Sequence, residues 1–274
     1  MHTIIRNLYT VKARLVENKN YLSPFNLYNM TRINSYCQTC TVKNCIMLKS
    51  FNQEEQNIYK PYKHHYEFKK GETIFREGDE INGLYFIQSG VIKLEMNSQT
   101  ARPFILRLIG PGQTMGHRFL SYTGLQPFTA SAVEDSRVCF IELGFFKNLV
   151  QKNELLQEEI RKIFLKEIRT TEVKLLQIAQ QTVREKVAGI LVHLAETYNY
   201  KQTGMGIRVH IDRQEMADLA GTTKEQVSRV LADFDQEELI RFRAKHFKYI
   251  AVDQLKNIAE SHTSHLKEPM AVEA

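Results

Sequence analysis

The sequence predicts an α+β protein made of an N-terminal antiparallel β-roll, one long helix and a compact C-terminal helical unit. Three observations support this prediction. Short apolar segments separated by glycines occupy the first half of the 274-residue chain, a stretch of about thirty residues without Gly or Pro follows, and amphipathic segments with capping residues fill the last third. The hydrophobic period changes from about two to about 3.6 residues where the strands give way to helices.

The predicted β-roll covers residues 61–150. Its clearest stretch is YEFKKGETIFREGDEINGLYFIQSGVIKLEM, in which apolar segments alternate with turn signals at Gly71, Gly78 and Gly90. Glycine tolerates positive φ, which tight connections between strands often require. Further strands are expected in PFILRLIGPGQTMG and TASAVEDSRVCFIEL, and the partial alternation of apolar residues is typical of a roll with a packed interior.

The predicted long helix covers residues 151–183. At about 1.5 Å per residue, about thirty residues form a rod about 45 Å long, which a single small domain rarely covers. The residues of one face recur at spacings near 3.5 residues, which favours a coiled-coil seam and therefore a homodimer. The alternative is that this stripe packs on the chain's own β-roll. The stripe consists of Ile160, Phe164, Ile168, Thr171, Leu175, Ile178 and Thr182.

Residues 184–255 are predicted to form a helix-turn-helix with a short wing. Asp212 is a natural N-cap, and Glu215, three residues later, is its capping-box partner. Gly221 supplies the left-handed residue that commonly ends such a helix. These signals place the turn of the motif just after Gly221.

The second helix of this unit carries the side chains that would contact DNA. Thr222 or Thr223 caps it, and the first turns of a recognition helix enter the major groove, where Arg binds guanine and Glu accepts from cytosine. One alternative is a solvated face on which Glu225 pairs with Arg229; another is a ligand-binding or signalling module whose C-terminal helices only dimerise. The expected buried face is Val227, Val230, Leu231 and Phe234, and the candidate DNA contacts are Thr223, Lys224, Glu225, Ser228 and Arg229.

The stretch LIRFRAKHFKYIAV predicts a basic β-hairpin after the second helix. Such a wing could contact DNA phosphates through Arg241, Arg243, Lys245 or Lys248. The formal net charge of +6 agrees with double-stranded DNA as a partner, although lysine and arginine are spread along the whole chain.

Three of the four cysteines lie within nine residues, CQTCTVKNC, in the segment of residues 31–60. No stretch of about 18 apolar residues exists and the N-terminus lacks the apolar core of a secretion signal, which predicts a cytoplasmic protein that does not enter the membrane. Structural disulfides are rare in that compartment, so the thiols are expected to be ligands or redox sensors. A structural zinc site, a thiol–disulfide switch and inert thiols remain open alternatives.

The two ends of the chain are expected to lie outside the fold. Residues 1–30 are interpreted as an N-terminal extension, with Met30 as an alternative start of the natural protein. Residues 256–274 are interpreted as a polar tail.

The order of β-roll, long helix and winged helix-turn-helix resembles the Crp/Fnr family of bacterial transcription regulators over about residues 60–252. KKGETIFREGDEINGLYFIQSGVIKL is similar to the family's roll and EMADLAGTTKEQVSRVLADF to its helix-turn-helix. The resemblance implies a jelly roll like that of cyclic-nucleotide-binding domains, a homodimer on an inverted repeat, RNA polymerase as a partner and no enzymatic activity.

Within that family, Glu225, Ser228 and Arg229 match the Glu-x-x-Ser-Arg pattern of the Fnr branch, which implies TTGA-type half-sites with Arg229 on a guanine. The branch also carries an N-terminal cysteine group and one distant cysteine that together bind an oxygen-labile [4Fe–4S] cluster. The spacing here is C-x2-C-x4-C, one residue shorter than the best-known C-x2-C-x5-C. The cysteines that resemble this ligand set are Cys37, Cys40, Cys45 and Cys139.

The cyclic-AMP branch of the family holds its nucleotide with a Gly-Glu pair and a later Arg-Ser pair. In this chain His117 follows Gly116, and Pro-Phe-Thr stands where the Arg-Ser pair would be. The cyclic phosphate would lose its arginine and the ribose its carboxylate, which argues against cyclic-nucleotide binding. His117 is interpreted as a turn residue, Arg118 as a surface residue, and His64 with His65 as polar residues at a strand edge.

Overall fold

A computed structural model of the chain describes residues 31–32, 40, 42, 44–96, 103–120, 124–198, 200, 207–243, 246–249 and 251–261. The predicted N-terminal extension, Cys37, Lys245 and most of the predicted polar tail lie outside these described residues. No helix among the described residues is long and apolar enough to cross a membrane.

Two antiparallel sheets form the β-roll and confirm the predicted fold class. One sheet has the strand order β1-β2-β9-β4-β7 and the other has the order β3-β8-β5-β6. The bounds are β1 (Thr31–Arg32), β2 (Lys63–Phe68), β3 (Thr73–Phe75), β4 (Gly83–Ser89), β5 (Ile92–Met96), β6 (Phe104–Ile109), β7 (Thr114–Met115), β8 (Thr129–Ala132) and β9 (Ser136–Glu142).

The interior of the roll is apolar because alternate side chains of each strand point between the sheets. Ile92, Leu94, Met115 and Val138 are fully buried there. The predicted turns are confirmed, since Gly71, Gly78 and Gly90 have φ values of 84°, 87° and 83°. A side chain at these positions would strain the backbone.

Eight α-helices, two short 3-10 helices (Lys60–Tyr62 and His117–Leu120) and a small sheet complete the part of the chain that the structure describes. The helices are α1 (Ile46–Ser50), α2 (Gln53–Tyr59), α3 (Leu143–Lys152), α4 (Glu154–Gln180), α5 (Val183–Thr197), α6 (Arg213–Ala220), α7 (Lys224–Gln236) and α8 (Val252–Glu260). The small sheet has the order β10-β12-β11, with β10 (Ile207–Arg208), β11 (Ile240–Arg243) and β12 (His246–Tyr249).

The long helix α4 begins and ends at capping residues. The Asn153 side chain accepts a hydrogen bond from the backbone N–H of Leu156 at 2.8 Å and caps its start. The rod stops at Gln180, three residues before the predicted end at residue 183, because Thr182 forms a capping box with Glu185 and starts α5. The predicted long helix is therefore present, but it runs from Glu154 to Gln180 rather than from residue 151 to residue 183.

The first turns of α4 pack on the β-roll. Leu156 and Ile160 are buried in an apolar cluster with Ile141 of β9 and Phe146 of α3. The C-terminal unit also contacts the roll, since Ile105 and other apolar residues of the roll share its core. The roll therefore supports both the long helix and the helix-turn-helix.

Two glycines allow strands and turns of the roll to approach closely. A Cβ atom on Gly116, which has a φ of 84°, would lie 2.5 Å from the carbonyl oxygen of Gly83. A Cβ atom on Gly83 would lie 2.3 Å from the carbonyl oxygen of Ile141 and 2.4 Å from the Phe140 ring. This close approach holds the turn that starts at His117 against the sheet.

We predict that Gly83→Ala lowers the free energy of unfolding by roughly 1 to 3 kcal/mol, because the backbone of β9 must move to make room. Gly144→Ala is the matched control, since a Cβ atom there meets nothing within 4 Å; its effect should stay below about 1 kcal/mol. Urea unfolding curves measure both values. Equal midpoints for the two variants would contradict the prediction.

Candidate functional site

The helix-turn-helix is built by local capping interactions. The Asp212 carboxylate accepts from the backbone N–H of Glu215 at 2.9 Å, and the backbone N–H of Asp212 donates to the Glu215 carboxylate at 3.0 Å. Gly221 ends α6 in the left-handed conformation, with φ 61° and ψ 47°. The predicted capping box and helix end are both confirmed.

Helix α7 separates a buried face from an exposed polar face. Thr223 is its N-cap, and its hydroxyl accepts from the backbone N–H of Gln226 at 3.3 Å. The predicted buried face is confirmed, with exposed fractions between 0% and 8% for Val227, Val230, Leu231 and Phe234. On the other side, the candidate DNA-contacting side chains Thr223, Lys224, Glu225 and Arg229 are exposed and Ser228 is half-buried.

The wing is an antiparallel hairpin of β11 and β12, in which Arg241 is opposite Lys248. Lys248 is exposed. The Arg241 guanidinium already donates to the Glu238 carboxylate at 2.8 Å and to the Asp235 carbonyl at 3.0 Å, so part of its charge is neutralised within the chain. Lys248 is therefore the better-placed phosphate contact of these two.

Two of the cysteines that the structure describes, Cys45 and Cys139, lie near the start of the long helix. Cys45 immediately precedes α1 and is 7% exposed, Cys139 lies in β9 and is 4% exposed, and Cys40 is half-buried. Cys45 and Cys139 belong to the same apolar cluster as the first turns of α4. Among the described residues, no group of three or more Cys, His, Asp or Glu side chains is placed to hold a metal ion.

A histidine contacts the distant cysteine. Strands β2 and β9 pair so that His65 is opposite Cys139, and the His65 Nδ1 lies 3.3 Å from the Cys139 Sγ. The interpretation of His65 as a strand-edge residue was wrong, since β2 lies between β1 and β9 and His65 is 7% exposed. His64 is half-buried, with its Nε2 3.7 Å from the Glu142 carboxylate.

A second polar centre lies where the long helix meets the β-roll. Glu167 of α4 is 10% exposed, and its carboxylate contacts the Arg107 guanidinium of β6. The His117 Nε2 lies 2.9 Å and the Arg118 guanidinium 3.4 Å from the same carboxylate. Burial alone would raise the pKa of Glu167, but the hydrogen bond and charge of His117, together with Arg107, lower it to about 2.

The structure adds to two sequence interpretations. His117 is a turn residue, as expected, and it is also buried, at 2% exposed, and packs edge-on against the Phe164 ring, 5.4 Å away. Arg118 keeps 38% of its side chain exposed, but it also lies over the Phe128 ring at 5.5 Å. Glu167 itself was missed, although it lies seven residues after Ile160 on the face of α4 that packs on the roll.

Lys174 forms another polar contact between α4 and β6. Its ammonium donates to the carbonyls of Ile105 and Leu106 at 3.1 and 2.6 Å. Burial and, secondarily, the charge of Arg107 lower the pKa of Lys174 to about 8. Glu167 and Lys174 thus attach two successive parts of the long helix to one strand.

The comparisons with known proteins match both halves of this arrangement. A family model described as "Cyclic nucleotide-binding domain" matches residues 66–153, and one described as "Crp-like helix-turn-helix domain" matches residues 185–258. The chain belongs to the Crp/Fnr family. It is a DNA-binding transcription regulator of the Crp/Fnr type, and this family is not one of enzymes.

Curated relatives of this family member cover most of its length. It is 26% identical to an anaerobic regulatory protein of Haemophilus influenzae over 231 residues. This alignment covers 82% of this chain and 87% of that protein. It is also 26% identical over 229 residues to the fumarate and nitrate reduction regulatory protein of Vibrio cholerae, covering 82% and 90%.

Two solved structures have the same fold. FixK2 from Bradyrhizobium japonicum superposes with a TM-score of 0.64 at 19% identity, covering 71% of this chain and 96% of that one. A regulator described as Crp/Fnr family from Eubacterium rectale gives a TM-score of 0.60 at 16% identity, covering 77% and 95%. At these identities the likeness concerns the fold alone.

Proposed function

We propose that this Crp/Fnr-family regulator binds TTGA-type inverted repeats as a cytoplasmic homodimer, works with RNA polymerase, and senses oxygen or nitric oxide through an N-terminal [4Fe–4S] cluster. The DNA-binding part rests on one observation. One face of α7 is buried in the core, so its opposite, polar face is exposed. The cluster part rests on the four cysteines and on the similarity to anaerobic regulators.

The recognition part of the proposal assigns roles to the exposed face of α7. Arg229 donates to a guanine, while Glu225 and Ser228 contact neighbouring base edges in the major groove. Lys224 and the N-cap Thr223 lie at the helix N-terminus, whose free N–H groups favour a DNA phosphate. The exposed Lys248 of the wing adds a phosphate contact that carries no sequence information.

The homodimer part rests on apolar residues that the long helix leaves uncovered. Ile168, Leu175 and Ile178 of the predicted stripe are 55%, 64% and 40% exposed. Burying one such side chain contributes about 1.5 to 3 kcal/mol, and a two-fold interface buries every residue twice. The alternative, in which the stripe packs on the chain's own roll, describes the start of the stripe, where Ile160 is buried and Phe164 packs against the same apolar cluster.

The sensing part rests on thiol chemistry and on the position of the cysteine segment. Four thiolates are the ligand set of a [4Fe–4S] cluster, which would supply a group that oxygen or nitric oxide destroys. The described residues do not bring three donors together, and Cys37 lies outside them. We propose that Cys37, Cys40 and Cys45 join Cys139 as ligands; zinc or a thiol switch on the same cysteines is the second candidate.

The chain itself links this segment to the long helix. Helix α1, which follows Cys45, packs against the start of α4, and the Asn153 side chain donates to the Ser50 carbonyl at 2.9 Å. Lys49 lies 4.0 Å from Glu159 on the next turn. A rearrangement of the cysteine segment would therefore act directly on the N-terminal turns of the helix proposed to dimerise.

Arg229→Ala should cost about 1 to 3 kcal/mol of binding per half-site and lose discrimination at one guanine, because a bidentate base contact disappears. Lys248→Ala is the matched control: it should weaken binding to all sequences equally and reduce the salt dependence by about one ion per half-site. Fluorescence anisotropy at several salt concentrations separates the two. Unchanged sequence preference in Arg229→Ala would refute the base contact.

Leu175→Glu should weaken the dimer by at least about 100-fold, because a two-fold interface would bury two new carboxylates and lose two leucines. Leu155→Glu is the control, since Leu155 is equally exposed at 64% but lies on the other side of α4. Sedimentation equilibrium of both variants measures the dissociation constants. A dimer unaffected by Leu175→Glu, or equally weakened by Leu155→Glu, would exclude this seam.

Protein purified without oxygen should be brown and contain about four iron and four sulfide per protomer. Air should bleach it, and Cys139→Ser should prevent the colour while the far-ultraviolet circular dichroism stays native. A colourless protein that contains stoichiometric zinc would replace the cluster with the zinc alternative. Absence of any metal in the wild type would contradict both the cluster and the zinc site and would leave the thiol switch and inert thiols as the alternatives.

A further inference from the structure

The cyclic-nucleotide-binding family model raises the question of whether this roll binds an external anion. The sequence places His117, Arg118 and Phe128 in the stretch where the cyclic-AMP branch holds its nucleotide. In the structure, His117 and Arg118 are directed at a carboxylate of the chain itself. The residues present therefore do not fit a nucleotide phosphate as long as that carboxylate stays in place.

The carboxylate belongs to Glu167 of the long helix and is nearly buried. Its Oε1 lies 2.9 Å from the His117 Nε2 and contacts the Arg107 guanidinium, and its Oε2 lies 3.4 Å from the Arg118 guanidinium. Three side chains from β6 and from the turn after β7 thus converge on one acidic group from α4.

The charges at this centre require an anion. Arg107 and Arg118 carry two positive charges, and Lys174 lies close enough to Arg107 for the repulsion to lower its pKa. Cations that lose part of their hydration destabilise a fold unless an anion faces them. Glu167 is the carboxylate that meets the two arginines here, so it supplies internally the negative charge that a bound anion would otherwise supply.

We propose that Glu167 is a built-in anionic ligand of the β-roll. Its carboxylate occupies the site formed by Arg107, His117 and Arg118, closes this site to cyclic nucleotides and holds the long helix on the roll. A small carboxylate such as formate or acetate should bind in the same place once the Glu167 side chain is removed. This inference concerns the roll and the helix, and it depends neither on the cluster nor on the DNA target.

The position of Glu167 gives this contact a consequence for the helix. Glu167 directly precedes Ile168, which is 55% exposed in the proposed dimer seam. Lys174, which directly precedes Leu175, donates to two backbone carbonyls of β6. The two polar contacts therefore fix the rotation of α4 about its axis, and this rotation decides where the apolar seam points.

The test compares thermal unfolding of the full-length wild type and Glu167→Ala in sodium chloride and in sodium formate or acetate at equal ionic strength. Glu167→Ala should lower the Tm by on the order of 5 to 10 °C, because it removes the carboxylate that faces two partly buried arginines and the buried His117. Tens of millimolar formate or acetate should restore at least half of that loss and leave the wild type unchanged. Isothermal titration of the wild type with cyclic AMP should give no binding heat.

Glu172→Ala is the matched control, because Glu172 lies on the same helix but is exposed and pairs only with Arg169 at 3.7 Å among the ion pairs of the described residues. It should change the Tm by less than about 2 °C and show no response to formate. If Glu167→Ala does not fold, Glu167→Gln keeps the shape of the side chain, and it should unfold at lower temperature than the wild type and resist rescue.

Three results would overturn the proposal. The first is a Tm of Glu167→Ala or of Glu167→Gln equal to that of Glu172→Ala. The second is an equal effect of formate on the wild type and on Glu167→Ala, which would indicate a general salt effect. The third is binding of cyclic AMP to the wild type, which would show that the site is open.

Discussion

The contact between β6 and the long helix α4 joins the β-roll to the helix proposed to dimerise, and β6 also contacts the DNA-binding unit. Arg107 binds Glu167 from one side of β6, and the backbone carbonyls of the same strand accept from Lys174. On its other side, Ile105 joins the apolar core of the helix-turn-helix unit. A single strand therefore fixes both the helix proposed to dimerise and the unit that binds DNA.

A displacement of β6 would be passed on to α4 and to the helix-turn-helix unit, because close-packed side chains join these elements directly. Lys93 of the adjacent strand β5 pairs with Glu215 at 3.0 Å, and Glu215 also completes the capping box of α6. A shift of the roll relative to α4 would then reach the first helix of the DNA-binding motif through one ion pair and one shared apolar core. Cys45 and helix α1 pack on the N-terminal turns of α4.

Sequence patterns predicted the parts of this fold that depend on neighbours in the chain. The capping box at Asp212, the left-handed Gly221 and the buried face of α7 were all predictable because each involves residues three or four positions apart. The strand turns were also predictable from local sequence, because glycine permits the positive φ that these turns require. The fold class followed from the order of these local signals.

The contacts that the sequence did not predict join distant positions. His117 meets Glu167 across fifty residues, and His65 meets Cys139 only because β2 and β9 pair in one register. Hydrophobic periodicity treats histidine and arginine as polar and therefore as exposed, so it gave no sign that His117 and His65 are buried, and it favoured a surface position for Arg118. A charged residue on the buried face of a helix, as at Glu167, is the one signal in the pattern that could have indicated this centre.

The long helix has to satisfy two partners, and its composition reflects that constraint. If the face on the β-roll were as apolar as the proposed seam, α4 could rotate and bury either face, because apolar contacts are not directional. A buried ion pair has a fixed geometry and is costly to break, although it adds little net stability compared with well-packed apolar residues. We infer that Glu167 and Lys174 serve to select one rotation of the helix, which leaves Ile168 and Leu175 exposed for a second copy of the chain.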